Sequence, residues 1–295
     1  MSFSGDSKRD LALQPIKSKC CCRAMLSGLL ISATLEGDRI SLVCEAEEIA
    51  ALTASLVQEL FSKEAGISRK VMCGREKFIV GFESKPLRNL VKDYDNFQGN
   101  IASIIDFKCA QCRASFMKGV FLSVGTVSDP FKSLHAEFSM SEPARVEKLD
   151  AFLAEFGVPA RRITRGNKIG LYYKKGDDIE DLFGKIGVNN IVFTVADSKI
   201  QKEIRGNENR ATNCVATNIS KAVIASGKQI DAILKLKERG RFEYLPDDLR
   251  ITAELRLVNS EASLTELASL HIPPISKSGL NHRLSKLLEE AEKLR

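Results

Sequence analysis

Cysteine side chains supply the most recognisable candidate metal ligands in this sequence. Cys109 and Cys112 are spaced as a CxxC pair, and Cys20, Cys21 and Cys22 follow one another near the amino terminus. Four thiolates of this kind can bind a zinc ion with tetrahedral geometry. Alternatively, Cys21 and Cys112 pack as small hydrophobic side chains, because they stand at matching positions of a sequence repeat. We favour packing, and we expect no bound metal and no cofactor.

Histidines and nucleotide-binding motifs do not add a catalytic arrangement. His135, His271 and His282 lie far apart in the sequence and form no triad or metal cluster by spacing. Neither a Walker A motif nor a dinucleotide-binding fingerprint is present. We therefore expect no catalytic residue in the chain.

Basic side chains are concentrated in a stretch without acids, residues 161–175. The net charge of the whole chain is only +6, so the placement of these charges matters more than their sum. On a pair of strands, alternating side chains share a face that can contact DNA phosphates. A solvated sheet face is the alternative interpretation. The residues of this predicted surface are Arg161, Arg162, Arg165, Lys168, Lys174 and Lys175, and their counterparts earlier in the chain are Arg69, Lys70, Arg75 and Lys77.

The elements that must position these side chains occur twice. A constant offset of 91 residues relates Gly28 to Gly119, Cys21 to Cys112, Phe61 to Phe152, Gly66 to Gly157 and Lys77 to Lys168. Each copy is predicted to contain an apolar helix with a glycine, a strand, a second amphipathic helix and two further strands. Pairing the copies would bury the apolar faces that one copy leaves uncovered.

Gly28 and Gly119 lie inside the first predicted helix of each copy. Glycine in a helix interior costs about 1 kcal/mol relative to alanine, so its presence indicates a close approach of two backbones. We predict that these two helices pack against each other at a pseudo-twofold axis. A flexible position within one helix is the alternative.

The carboxyl-terminal residues 246–295 predict three helices. The first covers residues 246–258, with a proline and acids in its first turn. Ser263 and Glu266 form the capping box of a short second helix, and Ser276 caps a longer third helix that runs to Arg295. This order is typical of a helix-turn-helix, whose second helix enters the major groove of DNA; a plain helical bundle is the alternative. The predicted DNA contacts on this recognition helix are Lys277, Ser278, Asn281, His282 and Arg283.

The two glycine-bearing segments resemble the LAGLIDADG motif, as LSGLLISAT over residues 26–34 and MKGVFLSVG over residues 117–125. In homing endonucleases of that family, an acid near the end of each motif binds a divalent metal that supports DNA cleavage. Here these positions hold Ala33 and Val124, which cannot ligate Mg²⁺. The resemblance implies an α+β fold, a pseudo-twofold duplicated LAGLIDADG-like α/β core without cleavage activity, followed by an all-α helix-turn-helix domain.

Over nearly its whole length the sequence resembles the WhiA family of Gram-positive bacteria. The most specific match is ISKSGLNHRL at residues 275–284, supported by GVFL at residues 119–122 and by Asn209, Arg210 and Asn213. The resemblance implies a DNA-binding transcriptional regulator involved in sporulation or in cell division and chromosome segregation, and not an enzyme. A scaffold that recruits the division or transcription machinery, with DNA contact secondary, is the alternative function.

The expected organisation has four parts, two repeats at residues 1–105 and 106–200, a helical connector at 201–245 and the helix-turn-helix at 246–295. The expected partner is double-stranded DNA, with another transcription factor or RNA polymerase as candidate protein partners. The sequence has no apolar run of transmembrane length and no apolar signal segment at its start. We therefore expect a cytoplasmic, nucleoid-associated protein without membrane contact, whose thiols are reduced.

Overall fold

The computed structural model describes residues 2–72 and 74–294. Cys73, which lies in a predicted strand region, and Arg295, the predicted end of the last helix, are therefore outside the described residues. The chain forms two compact units, residues 1–202 and residues 203–295. Across the described residues, no helix combines the length and the apolar character needed to cross a membrane.

The first unit contains the same series of elements twice, as the repeat predicts, except that the first and the last helix of the first series have no counterpart in the second. The first series comprises α1 (Phe3–Ala12), α2 (Lys19–Leu29), β1 (Thr34–Glu36), β2 (Arg39–Cys44), α3 (Glu47–Phe61), β3 (Gly66–Met72), β4 (Arg75–Glu83), α4 (Lys85–Asn96) and α5 (Ile101–Ile104). The second series comprises α6 (Cys112–Val124), β5 (Gly125–Val127), β6 (Ala136–Met140), α7 (Pro143–Glu155), β7 (Arg161–Arg165), β8 (Lys168–Tyr173) and α8 (Gly176–Ile186).

Each series forms a four-stranded antiparallel sheet with the same strand order, β1-β2-β4-β3 and β5-β6-β8-β7. Buried side chains from one face of each sheet join the helices in a single hydrophobic core. Val80 and Phe82 provide this face in β4, and Leu171 and Tyr173 provide it in β8. The predicted duplicated α+β fold is confirmed.

The constant offset does not extend through both hairpins. Lys70 pairs with Lys77 in the first sheet and the pairing continues to Met72 and Arg75, whereas in the second sheet it ends at Arg165 and Lys168, so the first hairpin has the longer strands. Gly66 lies in β3, but Gly157 follows α7 with a φ of +78°, the left-handed conformation that favours glycine. The match between these two glycines is therefore not a structural equivalence, and the duplication rests on the shared order of helices and strands.

Close packing of α2 against α6 occurs at the two helical glycines. A Cβ atom added at Gly28 would lie 2.0 Å from the carbonyl oxygen of Phe116, and one added at Gly119 would lie 2.1 Å from the carbonyl oxygen of Met25. The two contacts are equivalent: each glycine faces a backbone carbonyl oxygen of the helix from the other copy. The space between the helix backbones at these positions therefore admits glycine alone.

The second unit is helical. A long helix, α9 (Asn189–Glu238), starts well before the predicted connector helix at Asn209, and the boundary between the two units falls within it. The helices α10 (Asp247–Val258), α11 (Leu264–Ser269) and α12 (Lys277–Glu292) follow. Ile233 and Leu236 of α9 share one buried core with the apolar side chains of these three helices, so the end of α9 packs with them.

Candidate nucleic-acid interface

Side-chain caps fix the starts of α11 and α12. The Ser263 hydroxyl accepts a hydrogen bond from the Glu266 backbone N–H at 3.3 Å, and the Ser263 N–H donates to the Glu266 carboxylate at 2.8 Å. The hydrogen bond from the Ser263 backbone N–H also lowers the pKa of the Glu266 carboxyl. The Ser276 hydroxyl accepts from the Gly279 N–H at 3.1 Å. Both helix starts are therefore set by short-range hydrogen bonds that satisfy otherwise unpaired N–H groups.

A buried histidine fixes the turn between α11 and α12. His271 is 3% exposed, its Nδ1 lies 3.0 Å from the Leu267 carbonyl oxygen, and its Nε2 lies 3.0 Å from the Thr252 hydroxyl on α10. Because a carbonyl oxygen only accepts, Nδ1 carries a proton. The Ile275 N–H also donates to the Ala268 carbonyl oxygen at 3.2 Å. These bonds attach the turn to α10 and α11, a role that sequence spacing did not reveal.

The first turns of α12 present an exposed polar surface. Leu280, Leu284 and Leu287 are buried, which turns the opposite side of the helix outward. Four of the predicted contact residues are exposed: Lys277, Ser278, Asn281 and His282.

Arg283 differs from its neighbours on α12. Its side chain is 27% exposed, and its Nε lies 3.4 Å from a carboxylate oxygen of Asp248 on α10. The exposed surface instead continues through Ser285 and Lys286, which the sequence-based set did not include. The helical periodicity that follows from the buried leucines could have identified both residues.

The other candidate site is the end of α2 and α6, where the endonuclease acids would lie. Ala33 is buried, and the hydroxyls of Ser32 and Ser123 are hydrogen-bonded to each other across the pseudo-twofold axis. Arg145 of α7 donates from Nη1 to the carbonyl oxygens of Ile31 at 2.9 Å and Ala33 at 2.8 Å. The guanidinium is therefore bound directly to the residue that stands in place of the first acid.

Arg145 is held there by a bidentate ion pair. Its Nε and Nη2 donate to the two carboxylate oxygens of Asp95 at 2.6 and 2.8 Å. A fixed positive charge and the absence of carboxylate ligands both oppose a divalent cation at this position. The described residues contain no group of three or more carboxylates that could hold a metal ion. The residues at this end of the helices thus do not fit the endonuclease metals.

Nearby acids do not replace the missing ones. The Asp38 carboxylate pairs with Arg88, and the Asp129 carboxylate accepts a hydrogen bond from the Phe131 N–H at 3.0 Å. Glu36 is exposed at the end of β1. These acids occupy unrelated positions in the two copies and have no common site.

The basic residues of the second sheet are divided between its two faces. Arg161, Arg165 and Lys168 lie on the outer face, opposite to the buried Leu171 and Tyr173, as the strand register requires. Lys174 follows β8 with its Nζ 5.4 Å from the centre of the Tyr172 ring on the same face.

Arg162 and Lys175 lie apart from that outer face. Arg162 pairs in register with Leu171, on the helix-facing side, and its Nη2 lies 3.9 Å from Glu147 of α7. Lys175 is exposed at the start of α8. The structure thus brings four of the six predicted strand residues to one surface.

An acid from the neighbouring strand lies beneath this surface. Glu137 of β6 is largely buried, with its Oε2 3.2 Å from Arg165 Nη1 and 2.8 Å from His135 Nε2. Gly170 makes room for it, because a Cβ there would lie 2.4 Å from Glu137 Oε1. Glu137 therefore orients Arg165 and offsets part of its charge.

The first sheet has a corresponding outer face. Lys70 and Lys77 lie on it, whereas Arg69 pairs in register with the buried Phe78 on the other face. Arg39 of β2 joins the outer face, and its guanidinium covers Gly81, where a Cβ would lie 2.5 Å from Nη2. Sequence reasoning missed Arg39 because the predicted basic surface was confined to the hairpin that follows the second helix of each copy, whereas Arg39 lies on an earlier strand.

Comparison with known proteins bears on both units. Residues 113–205 match the WhiA LAGLIDADG-like domain, and residues 209–291 match the WhiA C-terminal HTH domain. The chain is 31% identical to the "Probable cell division protein WhiA" of Thermoanaerobacter sp. (strain X514), over 100% of this chain and 98% of the relative. The protein of the same name from Clostridium novyi (strain NT) is 32% identical, over 100% of this chain and 99% of the relative. The chain belongs to the WhiA family.

A solved WhiA structure has the same fold. The crystal structure of full-length DUF199/WhiA from Thermotoga maritima matches with a TM-score of 0.61 at 24% identity, covering 99% of both chains. The predicted membership of the WhiA family is thus confirmed, with a LAGLIDADG-like core and a carboxyl-terminal helix-turn-helix. The WhiA relatives are named as cell division proteins and not as enzymes, and the WhiA helix-turn-helix implies binding to DNA.

Proposed function

We propose that this chain is a transcriptional regulator that binds double-stranded DNA in the cytoplasm, at the nucleoid, through the exposed first turns of α12. The observation that carries the proposal is the exposure of Lys277, Ser278, Asn281 and His282 on a helix whose start is capped and whose opposite side is buried. The name of the relatives, "Probable cell division protein WhiA", supports a role in cell division, and we extend the proposal to regulation of chromosome segregation or of sporulation.

The side chains of α12 suit different parts of a DNA duplex. An asparagine amide can donate to and accept from the edge of adenine, so Asn281 is the proposed base-reading residue. Lys277 and Ser278, at the start of the helix, suit the phosphates that flank the major groove. Because Asp248 engages Arg283, we assign Arg283 the role of holding α12 against α10 rather than the leading role in base recognition.

This assignment predicts a loss of sequence discrimination in an Asn281→Ala variant. Affinity for a fragment recovered from genomic DNA by the purified full chain should fall by about 1–3 kcal/mol, roughly 5- to 150-fold. Affinity for an unrelated fragment should change little, because phosphate contacts remain. Fluorescence anisotropy with both labelled fragments, at one fixed salt concentration, measures both effects.

The matched control is Lys293→Ala, which removes an exposed side chain just beyond the other end of the same helix. It should leave both affinities unchanged. Equal losses in the two variants, or wild-type binding that does not weaken as salt rises, would refute recognition by the first turns of α12.

We further propose that the outer face of the second sheet contacts phosphates. Arg161, Lys168 and Lys174 point to the same side of β7 and β8, with Arg165 held beside them by Glu137. Such contacts are sequence-independent, so they add affinity and salt dependence without adding discrimination.

An Arg161→Ala/Lys168→Ala double variant tests this surface. Each lost phosphate contact should reduce the slope of log K against log salt by about 0.9, and affinities for the selected and the unrelated fragment should fall in parallel. Arg162→Ala removes an equally charged neighbour on the opposite face and should leave the slope unchanged. An unchanged slope in the double variant would exclude the sheet as a DNA contact.

A further inference from the structure

Four cysteine thiols meet where α2 and α6 begin. The sulfur atoms of Cys20, Cys21, Cys109 and Cys112, here called the thiol cluster, all lie within 4.8 Å of one another. Cys109 Sγ is 3.6 Å from Cys20 Sγ, 3.6 Å from Cys21 Sγ and 3.4 Å from Cys112 Sγ. Within the part of the chain that the structure describes, no other group of three or more candidate ligand side chains has this proximity.

These separations are those of a tetrathiolate metal site. Zinc–sulfur bonds of about 2.3 Å at tetrahedral angles place the sulfurs about 3.8 Å apart. A disulfide would bring two sulfurs to about 2.05 Å. The distances around Cys109 are close to the first value, and the four cysteines are free thiols.

Two helices begin at the thiol cluster. Cys20 and Cys21 lie in the first turn of α2, and Cys112 is the first residue of α6. The partial positive charge at the start of each helix therefore lies beside the cluster, where it is compatible with a negatively charged metal–thiolate group. Lys17 and Lys118 line the adjoining cavity together with Cys21 and Cys109, and they can offset the negative charge of a zinc ion with four thiolates.

Hydrophobic packing does not account for the whole cluster. It explains Cys21 and Cys112, which are buried, but Cys109 is exposed and Cys20 is partly exposed. An apolar role gives no reason for these two thiols to lie beside the buried ones. Soft sulfur ligands in a tetrahedral arrangement select zinc over the hard cations that the endonuclease fold binds at the other end of the same helices.

We propose that the thiol cluster binds one zinc ion, with Cys20 and Cys21 from the first copy and Cys109 and Cys112 from the second as its ligands. The ion joins the starts of α2 and α6 and so links the two copies at the pseudo-twofold axis. This site is structural: all four ligand positions are filled by protein, which leaves no open position for a substrate.

Metal analysis of the purified full chain tests the proposal. Elemental mass spectrometry should find about one zinc per chain after growth in zinc-supplemented medium. Cys109→Ser and Cys112→Ser should each lose most of the metal. Cys22→Ser is the matched control, because Cys22 is buried one residue from the cluster but is not part of it, and it should keep the metal.

A second measurement does not depend on the folding of variants. Wild-type chain stripped of metal and loaded with Co²⁺ should show the intense visible absorption of tetrahedral cobalt and the sulfur-to-cobalt charge-transfer bands in the near ultraviolet. Zinc added afterwards should remove both. Wild-type chain that binds neither metal, an octahedral cobalt spectrum, or a mass that shows a disulfide between any two cluster cysteines would overturn the proposal.

Discussion

A Gly119→Ala variant is expected to lose about 3 kcal/mol or more of stability in the first unit, or to fail to fold. The added methyl group would lie 2.1 Å from the Met25 carbonyl oxygen and 2.8 Å from the Leu29 nitrogen. Both are backbone atoms of α2, so no side chain can rotate away. The two helices must separate instead, and that separation disrupts the close packing at the centre of the core.

Amide hydrogen exchange measures this effect locally, which matters because a chain of two units need not unfold in one step. Peptides from α2 and α6 should exchange much faster in the variant. Gly184→Ala is the matched control: it lies in α8, where a Cβ meets nothing within 4 Å, and the change should stabilise the helix by up to about 1 kcal/mol. Similar exchange rates in the Gly119 variant and the wild type would show that the helices do not depend on this contact.

An Arg145→Met variant is expected to destabilise the same core by about 3 kcal/mol. The change keeps much of the apolar stem but leaves the carbonyl oxygens of Ile31 and Ala33 without their donor. It also leaves the Asp95 carboxylate without its cation; because that carboxylate is 37% exposed, water limits this part of the loss. The expected loss therefore lies at the lower end of the range for breaking a buried ion pair.

Chemical denaturation followed by far-ultraviolet circular dichroism checks this expectation, since the chain has no tryptophan to serve as a fluorescent probe. Arg162→Met is the matched control, because Arg162 is well exposed and its nearest acid, Glu147, is 3.9 Å away. It should change stability by less than about 0.5 kcal/mol. Equal midpoints for the Arg145 variant and this control would argue against a structural role for the Arg145–Asp95 pair.

Local rules allowed the helix-turn-helix to be predicted from the sequence. The capping box needs only Ser263 and Glu266, three residues apart, and the structure contains both of its hydrogen bonds. The leucine spacing in α12 likewise follows from one helix and its buried side. The turn was harder to interpret, because His271 finds its partner Thr252 on another helix.

Interactions between distant residues could not be predicted in the same way. Arg145 binds the carbonyl oxygen of Ile31, 114 residues away, and nothing local to either residue indicates the contact. The thiol cluster is an intermediate case. Its cysteines were visible as candidate ligands, but the choice between packing and metal binding depended on sulfur positions that only the fold provides.

The strand alternation refined the predicted basic surface in a similar manner. The stretch from Arg161 to Lys175 is basic, but only the strand register shows that Arg161 and Arg162 lie on opposite faces of the sheet. Glu137, which lies under Arg165, comes from a strand outside that stretch. The number of basic residues in this stretch therefore overstates the positive charge on the outer face of the sheet.

The guanidinium at the end of α2 also opposes the introduction of an endonuclease-like metal site there. An acid restored at position 33 would meet Arg145, already bound to that residue's carbonyl oxygen, and would form an ion pair in place of a metal ligand. Removing Arg145 first would leave the Asp95 carboxylate without its cation and would weaken the core. Each single substitution toward the endonuclease ligand set is thus disfavoured until the others have been made.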